Sequence, residues 1–518
     1  MSEEAVLPGL TEAMKVSDAG QRGAEKRLEP RFEYINRQQL VFRTIDVEQL
    51  IAPEHPARAI WEFLGRVELS RFSEGIQAYE GERGRAAYEP RLLISLWVYS
   101  YSRGITAGRE IARLCESDPA YQWLTGMKVV NYHSLTDFRV RHEAALRELF
   151  IQILAVLSSE GLVTLERVMN DGTKIKAQAS RQSFKGAKRI KEHLAAARRH
   201  VKVLEKQAEE EVGQKLGRAR ERAERESEAR LAAAFAEFEK LREEKPEVPE
   251  EKLRVSISEP EARKMKQPDG GYAPSYNVQI STDQARGIIV AAGISQAAGD
   301  SKELLGAVAR VKENTGRLPA QVVADGGYTS GANIKQLAVQ KVDFIAPITD
   351  SLEQLKTRGI DPAFSREAFT YDAAANCYVC PAGTKLTYKG QEQRGERTRL
   401  RYRAPSAACA ACVWKAQCCP QTARGRSINR WEYEAEVLSH KAKMKTAEAQ
   451  EIYKQRAQIA EFPIAWLKEK IGLRRFRLRG LQKTELEILW ACAAHNLHQW
   501  IRLCWKPQFI KAQTESSV

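Results

Sequence analysis

The sequence predicts an α/β protein: a mixed β-sheet flanked by helices, preceded by a helical region and interrupted twice. Three observations predict it. Short β-rich runs recur at Leu165–Asp171, Tyr276–Ile280, Gly287–Ile294, Gln321–Ala324 and Val342–Ile348, with helical periodicity between the later ones. The stretch from about Phe32 to Gly161 is helical in pattern throughout. The interruptions differ sharply in texture: one is charged and Ala-rich, the other carries paired cysteines.

Composition sets the bounds. A chain of 518 residues, 43% hydrophobic, holds two or three domains and can bury a sizeable core. No apolar run approaches the ~20 residues that a membrane span needs. Residues 1–30 mix acidic, basic and Gly residues without a signal-peptide pattern and read as a disordered cytoplasmic tail, as do the last residues, 506–518. A net charge of +15, with an isoelectric point near 9.3, favours a polyanionic partner, most commonly nucleic acid. Nine cysteines in a large chain of this kind argue for thiols or metal rather than disulfides.

In the helical region, 31–161, Glu89-Pro90 opens a helix that Gly104 ends. Thr106 can cap a second, Asp118-Pro119 starts a third that Gly126 closes, and Ser134 can cap a long fourth running to Leu157. Arg103, Arg109, Arg139, Arg141 and His142 near helix ends give this bundle the look of a helix-turn-helix-type DNA-binding unit. The plainer alternative is a helical domain that only packs on its neighbour. His142 reads as a structural or phosphate neighbour.

A short strand then ends at Asp171, with Gly172 following, where an aspartate is either a turn former or a ligand at a sheet edge. Residues 181–254 form a helical, coiled-coil-like insertion. Leu194, Ala197, Val201, Leu204 and Ala208 follow 3–4 spacing, as do Leu231, Ala234, Phe238 and Leu241. With Gly213 and Gly217 between them, a hairpin fits better than one continuous rod. A buried-type strand at Gln321–Ala324 ends at Asp325, before Gly326-Gly327-Tyr328.

Residues 371–427 are the Cys-rich insertion. Cys377-x-x-Cys380 precedes Cys409-x-x-Cys412, with Cys418 and Cys419 soon after. Tight turns let such pairs face one ion, so a structural zinc site is expected on Cys380, Cys409, Cys412 and Cys418, with Cys377 and Cys419 as substitutes. The alternative is a set of reduced thiols. Arg397, Arg399, Arg401 and Arg403 alternate with Thr398, Leu400 and Tyr402, predicting a strand with a basic face suited to phosphates. Cys115, Cys492 and Cys504 lie in apolar helical patterns and read as core.

No Gly or Pro interrupts Thr446 to Phe462, which predicts one helix that Pro463 kinks without ending. At about 100° per residue, Tyr453, Arg456, Glu461 and Lys468 share a face about 140° wide. Arg474, Arg475, Arg477, Arg479 and Lys483 follow, and a last apolar helix, Leu486–Leu503, carries a packed His495. Asp171, Asp325 and Glu461 are three carboxylates that cannot crowd together without a cation. Mg²⁺ takes one or two carboxylates and keeps waters, and two such ions about 4 Å apart can clamp an in-line displacement at phosphorus. Arg456 and Lys468 would grip the phosphates.

At these residues the chain resembles the DDE transposases of bacterial insertion sequences. Asn-Asp-Gly-Thr-Lys-Ile-Lys-Ala at 170–177 is similar to the family's first-aspartate motif, and Val-Ala-Asp-Gly-Gly-Tyr at 323–328 to its second. Tyr453, Arg456, Glu461 and Lys468 match the Tyr-Arg-Glu-Lys signature of one branch, with Glu461 one place further from Arg456 than the commonest spacing. The stretch Tyr88 to His142, with Tyr132-His133-Ser134 and Asp137-Phe138-Arg139, is similar to the N-terminal domain these proteins share.

The resemblance implies an RNase H-like catalytic domain over 162–505, within which the cysteine spacing makes the Cys-rich insertion zinc-ribbon-like. It implies Asp171, Asp325 and Glu461 as catalytic ligands of two Mg²⁺ (Mn²⁺ as substitute). Tyr453, Arg456, Lys468, Arg474, Arg475, Arg139 and Arg141 are the expected DNA contacts. Terminal inverted repeats and target DNA are the expected partners, held by a homodimer at the bacterial nucleoid, with no membrane. The activity implied is end cleavage followed by transfer of the freed 3′-hydroxyl. An inert regulatory derivative and a plain Mg²⁺-dependent endonuclease of the same fold are the competing readings.

Overall fold

In the computed structural model the described residues are 44–74, 86–210, 215–348, 357–394 and 397–509, with positions 38, 40, 42 and 76. Residues Val47–Val518 cluster as one unit, separate from Met1–Asp46. The tail expected at 1–30 lies outside the described residues. Of that expected at 506–518, residues 506–509 are helical and the rest lie outside. No helix among the described residues is long and apolar enough to cross a membrane.

Six helices come first: α1 (Pro56–Leu64), α2 (Pro90–Ser102), α3 (Gly108–Ser117), α4 (Pro119–Thr125), α5 (Tyr132–Arg141) and α6 (Glu143–Ser159). Proline opens α1, α2 and α4, where its missing N–H costs nothing. The Asp118 side chain accepts the Ala120 N–H at 2.9 Å, and Gly126 closes α4 at φ 58°. Two expected caps are corrected. The long helix expected from Ser134 is the pair α5–α6: Asn131 caps it through the His133 N–H at 2.8 Å, and the chain bends at His142. The His142 ring packs 4.9 Å from Phe138, which makes the bend a packed corner. Ala107, not Thr106, precedes α3, because Thr106 is buried with its carbonyl accepting from Arg139.

The sheet begins with β1 (Arg167–Lys176). It runs five residues past Asp171, where the strand was expected to stop, because β5 pairs with it from Val168 to Lys176. The arm follows: β2 (Phe184–Lys185), α7 (Ala187–Glu210), α8 (Lys215–Glu244) and β3 (Val255–Ser256). Arg198–Glu228 at 3.2 Å and Arg225–Glu205 at 3.1 Å fix α7 and α8 as antiparallel neighbours. Ile190, Ala234, Phe238 and Leu241 pack at the base of this hairpin. Gly213 lies outside the described residues and Gly217 inside α8.

Then come β4 (Arg263–Lys266), β5 (Tyr272–Asp283), β6 (Ile289–Ser295), α9 (Leu304–Thr315), β7 (Gln321–Val323), α10 (Gly331–Val339) and β8 (Asp343–Ile345). The strand order is β4-β5-β1-β7-β8, with β6 also on β5. Pairings β4–β5, β5–β6 and β1–β5 are antiparallel, while β1–β7 and β7–β8 are parallel, so the sheet is mixed as expected.

A second, five-stranded antiparallel sheet occupies the Cys-rich region: β9 (Thr370–Asp372), β10 (Cys377–Val379), β11 (Lys385–Arg394), β12 (Arg397–Arg403) and β13 (Ser427–Trp431), with α11 (Ser406–Ala410) and α12 (Lys415–Cys418) before the last strand. The basic strand forms as expected, but its face is not wholly basic. Glu392 on β11 pairs with Arg399 and, at 3.1 Å, with Arg401.

Four helices finish the chain: α13 (Glu434–Met444), α14 (Ala447–Lys454), α15 (Arg456–Glu469) and α16 (Leu481–Trp500). The single helix expected from Thr446 breaks at Gln455. There the backbone tightens to an Ile452 carbonyl at 3.2 Å, and the side chain accepts from Gln284 at 2.8 Å. Pro463 sits inside α15 without ending it. The sheet is layered between α9–α10 on one face, around Val322, Ala324 and Tyr328, and α14–α15 on the other, around Met169, Val323 and Ile345.

Helix α16 joins the N-terminal helices to the sheet. One hydrophobic cluster runs from Phe63, Trp97 and Phe150 through Trp490 and Leu497 to Ile289 and Tyr276. Asn496 accepts the Ile289 N–H at 2.9 Å and donates to its carbonyl at 2.8 Å. Trp490 donates to the Arg139 carbonyl at 3.2 Å. Arg139, expected to touch DNA, is instead 5% exposed and pairs with the fully buried Glu487 at 3.1 Å, under Trp97 and Tyr101. An arginine held by a buried carboxylate and two rings cannot reach a phosphate backbone.

His495 is packed as expected: fully buried, its Nε2 donating to the Gly287 carbonyl at 3.0 Å. Burial pushes its pKa from 6.5 down to about 4. The unfolded chain therefore takes up this proton first, so the stability held above pH 6.5 is lost as pH falls toward 4, by up to roughly 3 kcal/mol. Thermal denaturation over this range will show a shallower pH slope for His495→Gln than for the wild type; equal slopes would exclude the assignment. Arg139→Ala, which strands Glu487 without its partner, will cost roughly 3–5 kcal/mol in chemical denaturation while leaving the DNA affinity of the folded protein unchanged.

Candidate active site

The parallel ladder between β1 and β7 sets Met169 opposite Val323. Asp171 and Asp325 each stand two residues further on, so side-chain alternation sends both to the face of Met169 and Val323, beneath α15. There β1 continues while β7 turns away: the Asp325 side chain accepts the Gly327 N–H at 2.8 Å and caps a single 3₁₀ turn, Gly326–Tyr328. The gap opens where the two strands part.

Asp171 is held in a half-buried place. Its Oδ1 accepts the Gly172 N–H at 2.8 Å, and its Oδ2 lies 3.3 Å from Arg456, at the first turn of α15. Burial raises the Asp171 pKa, Arg456 and the Gly172 amide work against the rise, and the nearby Asp325 adds to it. Lys468, at the other end of α15, is also partly desolvated. Burial and Arg474 lower its pKa, opposed by Asp171. Tyr453 is half-buried against the Met169–Val323 cluster, its ring 5.8 Å from the Arg456 guanidinium.

Glu461 stands on α15 between Arg456 and Lys468, with its side chain exposed. Among the described residues no three His, Cys, Asp or Glu side chains come together at a spacing that could hold a metal ion. Arg456 supplies the positive charge beside Asp171.

Beneath the pair, on the opposite face of β1, lies a polar layer that sequence reasoning missed. Tyr328 donates to Gln279 at 2.5 Å; Gln279 and Asn277 donate to Asp300 at 2.9 and 2.6 Å; Lys174 pairs with Asp300 at 3.3 Å. Gly172 is the position that permits this. A Cβ there would meet Gln279 at 2.7 Å and Asp300 and Tyr328 at 2.9 Å. The signal available in sequence was the pair of motifs, Asp-Gly and Asp-Gly-Gly-Tyr, whose glycines and tyrosine meet across the sheet.

Past α15 the chain Leu473–Phe476 turns its apolar residues in and Arg474 and Arg475 out. It lies along β1, the Lys176 N–H reaching the Arg474 carbonyl at 3.2 Å and the Phe476 N–H the Lys176 carbonyl at 2.9 Å. Arg474 pairs with Glu469 in solvent. Arg141 is also exposed, 3.9 Å from Asp137.

In the second sheet, Cys380, Cys409, Cys412, Cys418 and Cys419 line one cavity of about 30 Å³ with Arg426. The sulfurs of Cys380 and Cys409 accept backbone N–H groups from Thr384 and Arg426 at 3.3 and 3.4 Å. Burial pushes the Cys418 thiol up to about 11, with Arg426 opposing and the neighbouring thiols adding. Cys377 is buried on β10, packed in the strand ladder, and is set aside as a substitute.

Two family models match the chain. A transposase DDE domain covers residues 379–501, and a transposase domain (DUF772) covers residues 45–141. No curated protein matches. Among solved structures, a cryo-EM structure of the piggyBac transposase synaptic complex with hairpin DNA aligns over 88% of this chain and 83% of that one. That likeness has 8% identity and a TM-score of 0.21, too low to carry weight. The two domain matches, one at each end of the chain, support a DDE transposase family for this protein.

Proposed function

We propose that this chain is a DNA transposase of the DDE type that cuts DNA at the ends of an insertion sequence and joins the freed 3′-hydroxyls to target DNA. The observation that carries the reading is that Asp171, on β1, and Asp325, two residues past the end of the neighbouring parallel strand β7, interact electrostatically under a helix that brings Arg456 to 3.3 Å from Asp171. The mixed sheet, with helices on both faces, supports an RNase H-like catalytic domain. The transposase-domain matches support the reaction class.

The donor set fits a hard divalent cation. Two adjacent carboxylates are what Mg²⁺ takes from protein, and their mutual repulsion favours an added positive charge. Asp171 and Asp325 would hold it, with Glu461, on the helix that carries Arg456 and Lys468, as the third carboxylate of the reading. When bound, such an ion supplies Lewis-acid stabilisation of the charge that builds on the phosphoryl oxygens. Arg456 offers a planar fork to a phosphate and Lys468 a partly desolvated point charge. Exposed Arg474 and Arg475 extend the positive surface along the DNA strand, and Arg141 adds to it from α5. Two ends must be held together for joining, which calls for a homodimer on the DNA.

The cysteines of the second sheet are the residues that would hold a structural zinc, although among the described residues no three of them stand at ligating spacing. Five thiols share one cavity, and two already take the backbone N–H bonds that stabilise thiolates.

Asp171→Asn, Asp325→Asn and Glu461→Gln will each abolish Mg²⁺-dependent cleavage of end-containing duplex while leaving DNA binding intact. Calorimetry will show weaker Mn²⁺ binding for the two aspartate variants, and robust cleavage by any of the three would refute the site. Elemental analysis will find about one zinc per chain, reduced in Cys409→Ser and Cys412→Ser; a folded, metal-free wild type would rule the zinc site out.

A further inference from the structure

A cavity of about 440 Å³ opens between α1–α2 and the end of α16. Its floor is apolar: Ile60, Tyr99, Ala494 and Ile501. Its rim carries Arg103, His498, Arg502 and Lys506, and no carboxylate lines it. Asp118 pairs with Arg103 at 2.6 Å, and Arg502 bonds the neutral Gln499 at 2.8 Å. The His498 pKa is lowered, first by burial and then by Arg502, Lys506 and Lys470, which marks the positive field at the rim.

This rim is continuous with the candidate active site. The turn at Arg103-Gly104 lies against the end of α15, where a Cβ on Gly104 would stand 2.6 Å from the Lys470 carbonyl. Lys468, Lys470, Arg474 and Arg475 cluster at the last turn of α15 and just past it.

We propose that the Arg103–Arg502–Lys506 rim binds the phosphodiester backbone of duplex DNA that also reaches Asp171 and Asp325. The proposal rests on the DNA-processing reading of the site. It assigns the N-terminal helices a DNA contact through Arg103, where Arg139 is buried. Arg502, Lys506 and His498 on an apolar base, with Arg103 held beside them by Asp118, present clustered positive charge that matches a polyanion.

The test uses the full-length protein and a fluorescent 30-base-pair duplex of its own flanking sequence, with anisotropy read across a salt series. Arg502→Ala/Lys506→Ala, both exposed in the wild type, will weaken binding on the order of tenfold near 0.1 M salt. It will also flatten the plot of log affinity against log salt by about 2, since each lost phosphate contact removes about 0.9. Unchanged affinity and slope in a variant that melts like the wild type would overturn the proposal. Acetylation footprinting of the wild type reads the same surface without substitution: Lys506 will be protected on adding the duplex, and no protection would overturn it equally. A wild type that binds no duplex sinks the DNA-processing reading itself. Binding with an insensitive double variant sinks the rim alone.

Discussion

Asp171 keeps a carboxylate in a half-buried place because a guanidinium from the far end of the chain stands 3.3 Å away. Burial raises the Asp171 pKa, and the neighbouring Asp325 pushes the same way. Arg456 works against both, and it reaches Asp171 because α15 is laid across β1 and β5, held by Ala460 and its neighbours against Met169, Val323 and Ile345. Nearly three hundred residues separate the partners in sequence, so this one contact ties together the first strand, the last parallel strands and the C-terminal helices. The insertions between them, the α7–α8 arm and the five-stranded Cys-rich sheet, have their own apolar clusters and leave the contact untouched.

The fold was legible where local chemistry decides. Proline at the first turns of α2 and α4, the Asp118 cap and Gly126 placed the short N-terminal helices almost to the residue. The buried-type strands around Val278, Ile289 and Val322 read directly from their composition. Errors came where tertiary partners override local preference. The strand at Asp171 extends because β5 pairs along all of it, and the helix at Gln455 breaks where Gln284 takes its side chain. Neither partner is visible from the segment itself.

The site was legible in the same uneven way. The parallel ladder of β1 and β7 ends two residues before each aspartate, and Asp171 and Asp325 interact electrostatically just beyond it. Arg139 shows the limit. Helical periodicity gives a residue's direction but not what occupies the space it points into. A sequence of basic residues likewise does not separate an arginine buried on Glu487 from one in solvent such as Arg141. The polar layer through Gln279, Asp300 and Tyr328 was invisible because its members come from three separate segments, joined only by the close approach at Gly172.

Strand β6 borders the main sheet, and a border strand ordinarily offers unpaired peptide groups that invite another chain to add on. At Ile289 that invitation is withdrawn, because the Asn496 carboxamide imitates a neighbouring peptide and occupies both groups. The helix that welds the two halves of the molecule thus also shields this margin from sheet-to-sheet stacking between copies, leaving self-association to other surfaces.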